Sequence, residues 1–234
     1  MTKETVSTKT ANLKKMLELH EAYLESFMCG KRLDLTKKSI RHVDFSGRDL
    51  NRAIFVRANF PLGNFSLSDL TLTNFESANL GNCDFTFANF EKALLANAIL
   101  RFSNMFGAIF YQTNLINADL TGANLACAQF YKSSIREANF LSTDLSKAVF
   151  YNVNFKNCNL INTKLRETSF IQCENLVDLG KHSNGDRFIA VLHDDGWHII
   201  SSVSFSHIEK VKEHFKKKKD IEALARIAIL DALP

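Results

Sequence analysis

A large apolar residue recurs at every fifth position of this chain from Phe45 to Phe170, 26 times without a change of register. Thirteen of these residues are Phe, which accounts for most of the 20 Phe in the chain. A five-residue period fits neither an α-helix, which repeats every 3.6 residues, nor a flat strand, which repeats every two. It fits a chain that turns a corner every five residues and points one large side chain inward on each side.

A second pattern lies two residues before each large residue. From Ala53 onward this position is nearly always Ala, Gly, Ser, Thr or Cys, and Asn or Asp often stands between the two. We predict that the small residue also points inward, because a corner leaves little room, and that the other three positions face water. Four corners make one coil of 20 residues, so residues 43–175 should form six to seven coils paired as parallel strands.

Segments such as Ala78-Asn79-Leu80, Ala118-Asp119-Leu120 and Ala138-Asn139-Phe140 are similar to the repeat A-(D/N)-L-x-x of the pentapeptide-repeat family. The resemblance implies an all-β solenoid, a right-handed quadrilateral parallel β-helix. It covers more than half of the chain and indicates the fold strongly. It indicates function weakly, because one repeat scaffold hosts many roles.

The two ends of a solenoid expose strand edges and core side chains, so we expect caps. An N-terminal helix is predicted over about Thr10 to Met28, since Leu13, Leu17, His20, Leu24 and Phe27 recur at helical spacing. It either covers the first coil or binds a partner or a second copy. The expected organisation is a helical cap at 1–33, the β-helix at 34–178 and a C-terminal α+β module at 179–234.

The C-terminal module is predicted to contain a hairpin and two helices. Residues Arg187–His193 and Trp197–Phe205 read as strands around an Asp-Gly turn, and Ser206 with Glu209 forms a capping box for a helix to about Phe215. A last helix follows at Ile221, Leu224, Ile227 and Leu230. The run from Asp195 to Ile200 resembles a tail found on some pentapeptide-repeat proteins of phages and prophages.

Catalytic signatures do not appear in the sequence. It contains no P-loop, dinucleotide fingerprint, zinc-protease motif or nucleophile elbow, so we predict a protein that is not an enzyme and needs no cofactor. The residues His193, His198, His207 and His214, with Asp194 and Asp195, raise the alternative of a metal site, but their spacing favours surface or packing roles. The cysteines Cys83, Cys158 and Cys173 occupy the small inward position and are expected to fill the core.

Outward positions offer the candidate functional residues. Because residues 20 apart should stack, Tyr111, Tyr131 and Tyr151 form a column with Leu72 below it, and Leu67, Phe87 and Phe106 lie on the adjoining side. Exposed apolar patches often mark contact surfaces, and Tyr is favoured there. These seven residues are therefore predicted to bind a partner. The alternative is that stacked Tyr side chains only stabilise neighbouring coils.

We expect a cytoplasmic protein, because the N-terminus shows no secretory signal, no stretch is long enough to span a membrane and the five Cys form no obvious pairs. The favoured function is a non-catalytic rigid scaffold that binds a host or cognate protein, as a phage-encoded factor would. Either end cap could also join two copies as a homodimer.

The family resemblance implies one alternative, a DNA mimic that binds DNA gyrase and inhibits it or protects it from quinolones. Such a rod should be strongly acidic, whereas residues 43–175 hold eleven acidic and eleven basic side chains. A module also stands where those relatives commonly pair. Direct nucleic-acid binding by Lys31, Arg32, Lys37, Lys38 and Arg41 is a minor option, since no recognition motif accompanies them.

Overall fold

A stack of four-sided coils forms the centre of the molecule in the computed structural model, which describes residues 3–181, 187–200, 205–218, 227, 228 and 230. Helix α1 (Lys3–Glu25) precedes the stack, whose first bridge joins Asp34 to Ile54. One side of the stack carries the strands β1 (Ile109–Tyr111), β2 (Gln129–Tyr131), β3 (Val149–Tyr151) and β4 (Ser169–Ile171). The chain continues through β5 (Leu176–Lys181), β6 (Arg187–His193), β7 (Gly196–Ile200), β8 (Phe205–His207) and α2 (Ile208–Lys218).

Each coil is 20 residues long, and each corner is a tight turn. Strands β1 to β4 lie in that order in one parallel sheet, with Phe110 opposite Phe130 and Phe130 opposite Phe150. At a typical corner Ala53 N–H donates to Leu50 O at 2.9 Å, and Arg52 adopts a left-handed φ of 63°. This is the geometry of a type II turn. Parallel bridges 20 residues apart then hold each coil on the next.

The large residues of the five-residue repeat line one continuous interior. From Phe45 to Leu160 all 24 of them have no exposed surface, and only Leu165 and Phe170 at the end of the stack are partly exposed. Phe110, Phe130 and Phe150 stack with nearly parallel rings at centroid distances of 4.5 Å. The predicted interior is thereby confirmed.

Small inward residues at the corners are buried as far as Thr168, and several of them are polar, whereas Cys173 in the last coil is only partly buried. Thr113 Oγ1 donates to Phe90 O at 2.7 Å, and Thr143 Oγ1 donates to Leu120 O at 2.9 Å. These hydrogen bonds satisfy hydroxyl groups that would otherwise be costly to bury. They also tie each coil to the one before it.

The Asn or Asp that precedes most of the large residues has a structural role. Its side-chain oxygen accepts the backbone N–H two residues later, as when Thr71 N–H donates to Asp69 Oδ1 at 2.9 Å. Amides also form ladders between coils, and Asn79 Nδ2 donates to Asn59 Oδ1 at 2.9 Å. Asx turns of this kind explain why short acidic and amide side chains recur on the outside of the rod.

The N-terminal end of the stack is covered by α1. Leu17 and His20 are buried, and Leu13 and Met16 pack against the same core. The helix starts before Thr10 and ends at Glu25, three residues earlier than expected. Phe27 therefore lies beyond the helix and is 64% exposed instead of extending the apolar stripe.

The C-terminal end of the stack is covered by the antiparallel sheet β5-β6-β7-β8. Ile189, Val191 and Ile200 join the core of the coils. A second cluster of buried residues includes residues of β5, β6, β7 and α2, among them Leu179, Phe188 and Ile208. Since the sheet contributes to both clusters, it links the coils to a small second core.

Two features of this region differ from the prediction. Strand β5 was not expected, and it begins at Leu176, before the predicted boundary at 178. The second predicted strand is two strands, because β7, which ends at Ile200, pairs antiparallel with β8, which starts at Phe205. Most of the predicted last helix lies outside the described residues, although Ile227 and Leu230 are buried.

Candidate functional site

The seven predicted contact residues lie at the two corners that flank the side of the stack carrying β1 to β4, here called the strand face. The leading corner carries Leu67, Phe87 and Phe106, and the trailing corner carries Leu72 and the three Tyr. Leu67 is 67% exposed, Phe87 53% and Tyr111 36%, whereas Phe106, Tyr131 and Tyr151 are half-buried. The seven residues therefore border one side of the rod rather than two.

Phe87 is held in place at the leading corner although half of it is exposed. Its ring meets that of Phe106 edge-on at a centroid distance of 5.4 Å. The ring also lies over Gly107 on the next coil, where an added Cβ would lie only 2.6 Å from Cδ1 of Phe87. The absence of a side chain at Gly107 therefore creates the seat for the Phe87 ring.

The trailing corner carries the tyrosine column. Strand register places Tyr111 beside Tyr131 and Tyr131 beside Tyr151, and Ile171 follows on the next coil. The rings of Tyr131 and Tyr151 are 5.9 Å apart. The core phenylalanines adjoin these tyrosines in the chain, so the column is mounted on a rigid stack.

Leu72 does not join this column. The coil between it and Tyr111 carries Glu91 and Lys92, whose side chains form an ion pair at 2.9 Å. The remaining six predicted residues follow a diagonal from the leading corner to the trailing corner. Leu72 lies off this diagonal, behind a charged pair.

Sequence reasoning missed Ile109 and Val149, which lie between the two corners on the strand face. They stand at the outward position that is usually Asn or Asp, and Ile109 is 39% exposed. On one coil Phe106, Ile109 and Tyr111 thus form an apolar band across the whole face. An aliphatic residue in place of the usual Asn or Asp, next to aromatic residues at the flanking corners, was the signal that could have revealed them. Ile54, Leu94 and Ile99 carry the same replacement on other sides of the rod.

We call this set the strand-face surface. It consists of Leu67, Phe87, Phe106, Ile109, Tyr111, Tyr131, Val149 and Tyr151. Its backbone is fixed by parallel pairing and by the stacked phenylalanines behind it, so little conformational entropy remains to be lost on binding. The arrangement suits recognition of another surface.

The cysteines of the core have no reactive character. Burial raises the pKa of the Cys83 and Cys158 thiols to about 12. Cys83 Sγ donates to Phe60 O, and Cys158 Sγ donates to Ile135 O at 3.0 Å. A thiol that stays protonated near neutral pH is a poor nucleophile.

The histidines of the C-terminal module form a small polar cluster. The rings of His193 and His198 are 4.6 Å apart, and His198 Nε2 lies 2.8 Å from Asp195 Oδ1. Burial, and secondarily His198, lowers the pKa of His193. Among the described residues no group of three or more His, Cys, Asp or Glu side chains is arranged to hold a metal ion.

Within the ranges that the structure describes, no helix has both the length and the apolar content needed to cross a bilayer. The five-residue period, the corners and the parallel stacking define a four-sided β-solenoid, a class of repeat protein that presents its outward side chains on flat sides. A sequence model of pentapeptide repeats matches residues 39–172 in 8 copies. The chain belongs to the pentapeptide-repeat family, and its fold is the right-handed quadrilateral β-helix of that family.

Solved pentapeptide-repeat structures resemble the chain over about half to two thirds of its length. HetL of the cyanobacterium Nostoc sp. strain PCC 7120, which is involved in heterocyst differentiation regulation, is 22% identical, with 62% of this chain and 69% of HetL covered and a TM-score of 0.45. A protein of the Arabidopsis thaliana thylakoid lumen is 32% identical over 47% of this chain and 66% of its own, with a TM-score of 0.32.

A trypsin-treated form of QnrB1, a plasmid-mediated fluoroquinolone resistance protein, is 18% identical, with 62% of this chain and 91% of QnrB1 covered and a TM-score of 0.36. The comparison with curated proteins gives no significant match. Membership of the family therefore rests on the sequence match over residues 39–172.

Proposed function

We propose that this protein is a non-catalytic scaffold that binds a partner protein through the strand-face surface. The observation that carries the proposal is the band of Phe106, Ile109 and Tyr111, which crosses a side of the rod where neighbouring coils carry polar residues such as Asp69 and Asn89. An apolar band on a rigid polar rod is a typical contact surface. Tyr and Phe also contribute strongly at interfaces.

The tyrosine column also has a stabilising role, but stabilisation alone does not account for the band. Stacked side chains on a sheet contribute at most about 1 kcal/mol per pair. On another side of the rod, Asn79 Nδ2 donates to Asn59 Oδ1 and Asn159 Nδ2 donates to Asn139 Oδ1, both at 2.9 Å, and Ile99 between these two pairs is 42% exposed. Polar side chains can therefore join neighbouring coils of this rod, so stabilisation of the coils does not by itself explain the exposed Phe and Ile side chains of the strand face.

The first experiment is a capture from cell lysate with the immobilised protein. We expect a partner to be recovered with the wild type and lost with Tyr131→Ala plus Phe87→Ala. The matched control is Phe102→Ala, because Phe102 is 62% exposed, against 53% for Phe87, and is likewise seated on a glycine, Gly122, but lies at a corner away from the strand face. Equal recovery by all three proteins would rule out the strand-face surface.

Photocrosslinking gives a sharper test. A photoreactive phenylalanine in place of Gln129, at the centre of the strand face, should crosslink the captured partner. The same probe in place of Asn97, at a corner that does not flank this face, should not. Crosslinks at both positions would indicate non-specific capture.

The partner itself is also part of the proposal. The run from Asp195 to Ile200 resembles tails of phage and prophage pentapeptide-repeat proteins, so we infer a phage-encoded factor that acts on a host protein. Mass spectrometry of the crosslinked partner tests this inference. The inference fails if the partner is a product of the same phage genome and not a host protein.

The gyrase alternative gains no support from the distribution of charge. Acidic side chains of the rod such as Asp44 and Asp84 alternate with Asn64 and Asn104 along one side and accept backbone hydrogen bonds. They serve the fold locally and form no continuous negative stripe. A DNA supercoiling assay with and without a quinolone tests the alternative, and an effect at stoichiometric protein would favour it.

A further inference from the structure

A cleft of about 500 Å³ lies at the N-terminal end of the rod, between α1 and the first coil. Apolar and cationic side chains line it together, with one carboxylate and one hydroxyl: Met16, Leu19, Leu33, Lys31, Arg32, Lys38, Asp34 and Thr36. A volume of this size is in the range of pockets that hold small ligands, roughly 300–1,000 Å³, and exceeds the volume of one amino-acid side chain.

The walls of the cleft are fixed. Gly30, with a φ of 74°, passes so close to α1 that an added Cβ would lie 2.6 Å from the backbone nitrogen of Tyr23. Beyond it, Lys31 N–H donates to Leu19 O at 2.8 Å, and Leu33 N–H donates to His20 Nδ1 at 3.1 Å. The segment that carries the cations is thus tied to the helix that supplies the apolar wall.

The cleft lies in the most basic part of the described rod. Residues 31–57 carry eight Lys and Arg against three Asp, whereas residues 58–175 carry eight Lys and Arg against nine Asp and Glu. Arg48 pairs with Glu21 at 3.1 Å, but in the described ranges Lys31, Arg32 and Lys38 form no ion pair. Three cations at the cleft are available to an anionic ligand.

We propose that this cleft binds an acidic peptide segment of a partner protein. One large apolar side chain of the segment occupies the space beside Met16 and Leu19. Flanking carboxylates pair with Lys31, Arg32 and Lys38. Recognition of acidic motifs by clustered cations is a known mode of peptide binding.

The chemistry of the cleft favours a peptide over a nucleic acid. None of the eight residues that line the cleft is aromatic, so the lining offers no ring on which a base could stack. The carboxylate of Asp34 also lies in the lining and repels any anion from its side of the cleft, so the anionic groups of a ligand are expected beside Lys31, Arg32 and Lys38. Peptide carboxylates can lie at the cationic rim, while an apolar side chain fills the interior.

This inference is independent of the strand-face surface, which lies along the rod and not at its end. The test uses fluorescence anisotropy of a fluorescein-labelled peptide with two central Phe flanked by three Glu on each side. We expect saturable binding that weakens at least about tenfold for Lys31→Glu plus Arg32→Glu, and also for Leu19→Ser. Tyr131→Ala plus Phe87→Ala should leave it unchanged.

Matched controls separate the cleft from general electrostatics. Lys132→Glu plus Lys147→Glu makes the same change of charge in distant coils and should leave the affinity within about twofold of the wild type. A peptide with Ser in place of Phe should bind at least about tenfold more weakly. Equal binding of that peptide, equal loss in the distant variant, or tighter binding of oligothymidylate than of the peptide would each overturn the proposal.

Discussion

Single residues of this rod differ sharply in how much they contribute to the stability of the fold, even when they are neighbours in the chain. Phe130 is fully buried between Phe110 and Phe150, whereas Tyr131 is half-buried on the outside. Phe130→Ala should lower the free energy of unfolding by about 3–5 kcal/mol, because it leaves a cavity in a stacked core. Tyr131→Ala should cost less than about 1 kcal/mol.

Urea denaturation of both variants measures the difference. Phe130→Leu is the control, since it retains most of the volume and should cost less than about 1.5 kcal/mol. Similar losses for Phe130→Ala and Tyr131→Ala would contradict the assignment of an interior and an exterior.

Gly107 provides a second test at the scale of the residue. Gly107→Ala should displace the ring of Phe87 and reduce capture of the partner. Gly122→Ala should displace Phe102 by the same mechanism without reducing capture, since an added Cβ there would lie 2.6 Å from Cε1 of Phe102. Gly47→Ala adds a Cβ at a similar positive φ in open space and reports the backbone strain alone, about 1–2 kcal/mol.

Capture by the three glycine variants, normalised to folded protein by circular dichroism, is the readout. Loss of capture in Gly122→Ala as well would mean that general strain, and not the seat of Phe87, decides binding. Equal stability of Gly107→Ala and Gly47→Ala would show that displacement of the ring has a small cost.

At the scale of the element, the attachment of α1 should depend on pH. Burial lowers the pKa of His20, against the opposing effects of Asp49 and Glu21, while Arg32 lowers it further. Since Nδ1 accepts the Leu33 N–H, the folded form holds His20 neutral. A histidine whose pKa is lowered by folding stabilises the fold fully above its unfolded pKa of about 6.5, and this contribution is lost as pH falls toward the folded pKa.

Urea midpoints at pH 8, 6.5 and 5 check this expectation. The wild type should lose more stability below pH 6.5 than His20→Gln, which cannot titrate. Parallel pH profiles for the two proteins would show that His20 does not couple the cap to pH.

The C-terminal sheet is held on the last coil by the side chain of Arg187. Arg187 Nη1 donates to Leu165 O and Thr168 O, both at 3.0 Å, and its guanidinium lies 5.3 Å from the ring centroid of Phe170. The same side chain pairs with Asp178. One residue of β6 thereby closes the last coil, whose carbonyl groups have no further coil to bind.

At the scale of the whole molecule, we expect the fold to tolerate deletions of five residues or a multiple of five. The strand-face surface should tolerate only deletions of 20 residues, which remove a whole coil. Deletion of residues 118–122 keeps every later large residue inward and turns the upper coils by one side. Tyr131 then stacks over Phe106, and the tyrosine column is broken. Deletion of residues 118–137 removes one whole coil and stacks Tyr151 on Tyr111.

Both deletion proteins should unfold cooperatively in urea, because each coil contacts only its neighbours and both caps are retained. Only the 20-residue deletion should still capture the partner. Capture by the five-residue deletion would show that the surface above residue 118 is not needed.

How much the sequence could predict varied along the chain. The interior from Phe45 onward, the small corner residues and the stacking of the tyrosines followed from a rule of steric fit repeated every five residues. The place of Ile109 in the strand-face surface and the separation of Leu72 from the tyrosine column did not follow from this rule. Both depend on which side chains of neighbouring coils lie between two positions. In the candidate site, six of the seven predicted residues fall on one diagonal, and Ile109 joins the two corners.

The sequence by itself determined the coil, since each corner needs only a small inward side chain and a tight backbone turn, and both recur every five residues. Only the tertiary structure decided the ends. Strand β5, the cleft under α1 and the exposure of Phe27 arise where the repeat stops, and there the chain is placed by contacts with distant residues such as Leu19 O and His20 Nδ1. A periodic pattern specifies which residues stack, because every coil repeats the same spacing, whereas the contacts of a cap depend on the three-dimensional shape of the end of the rod.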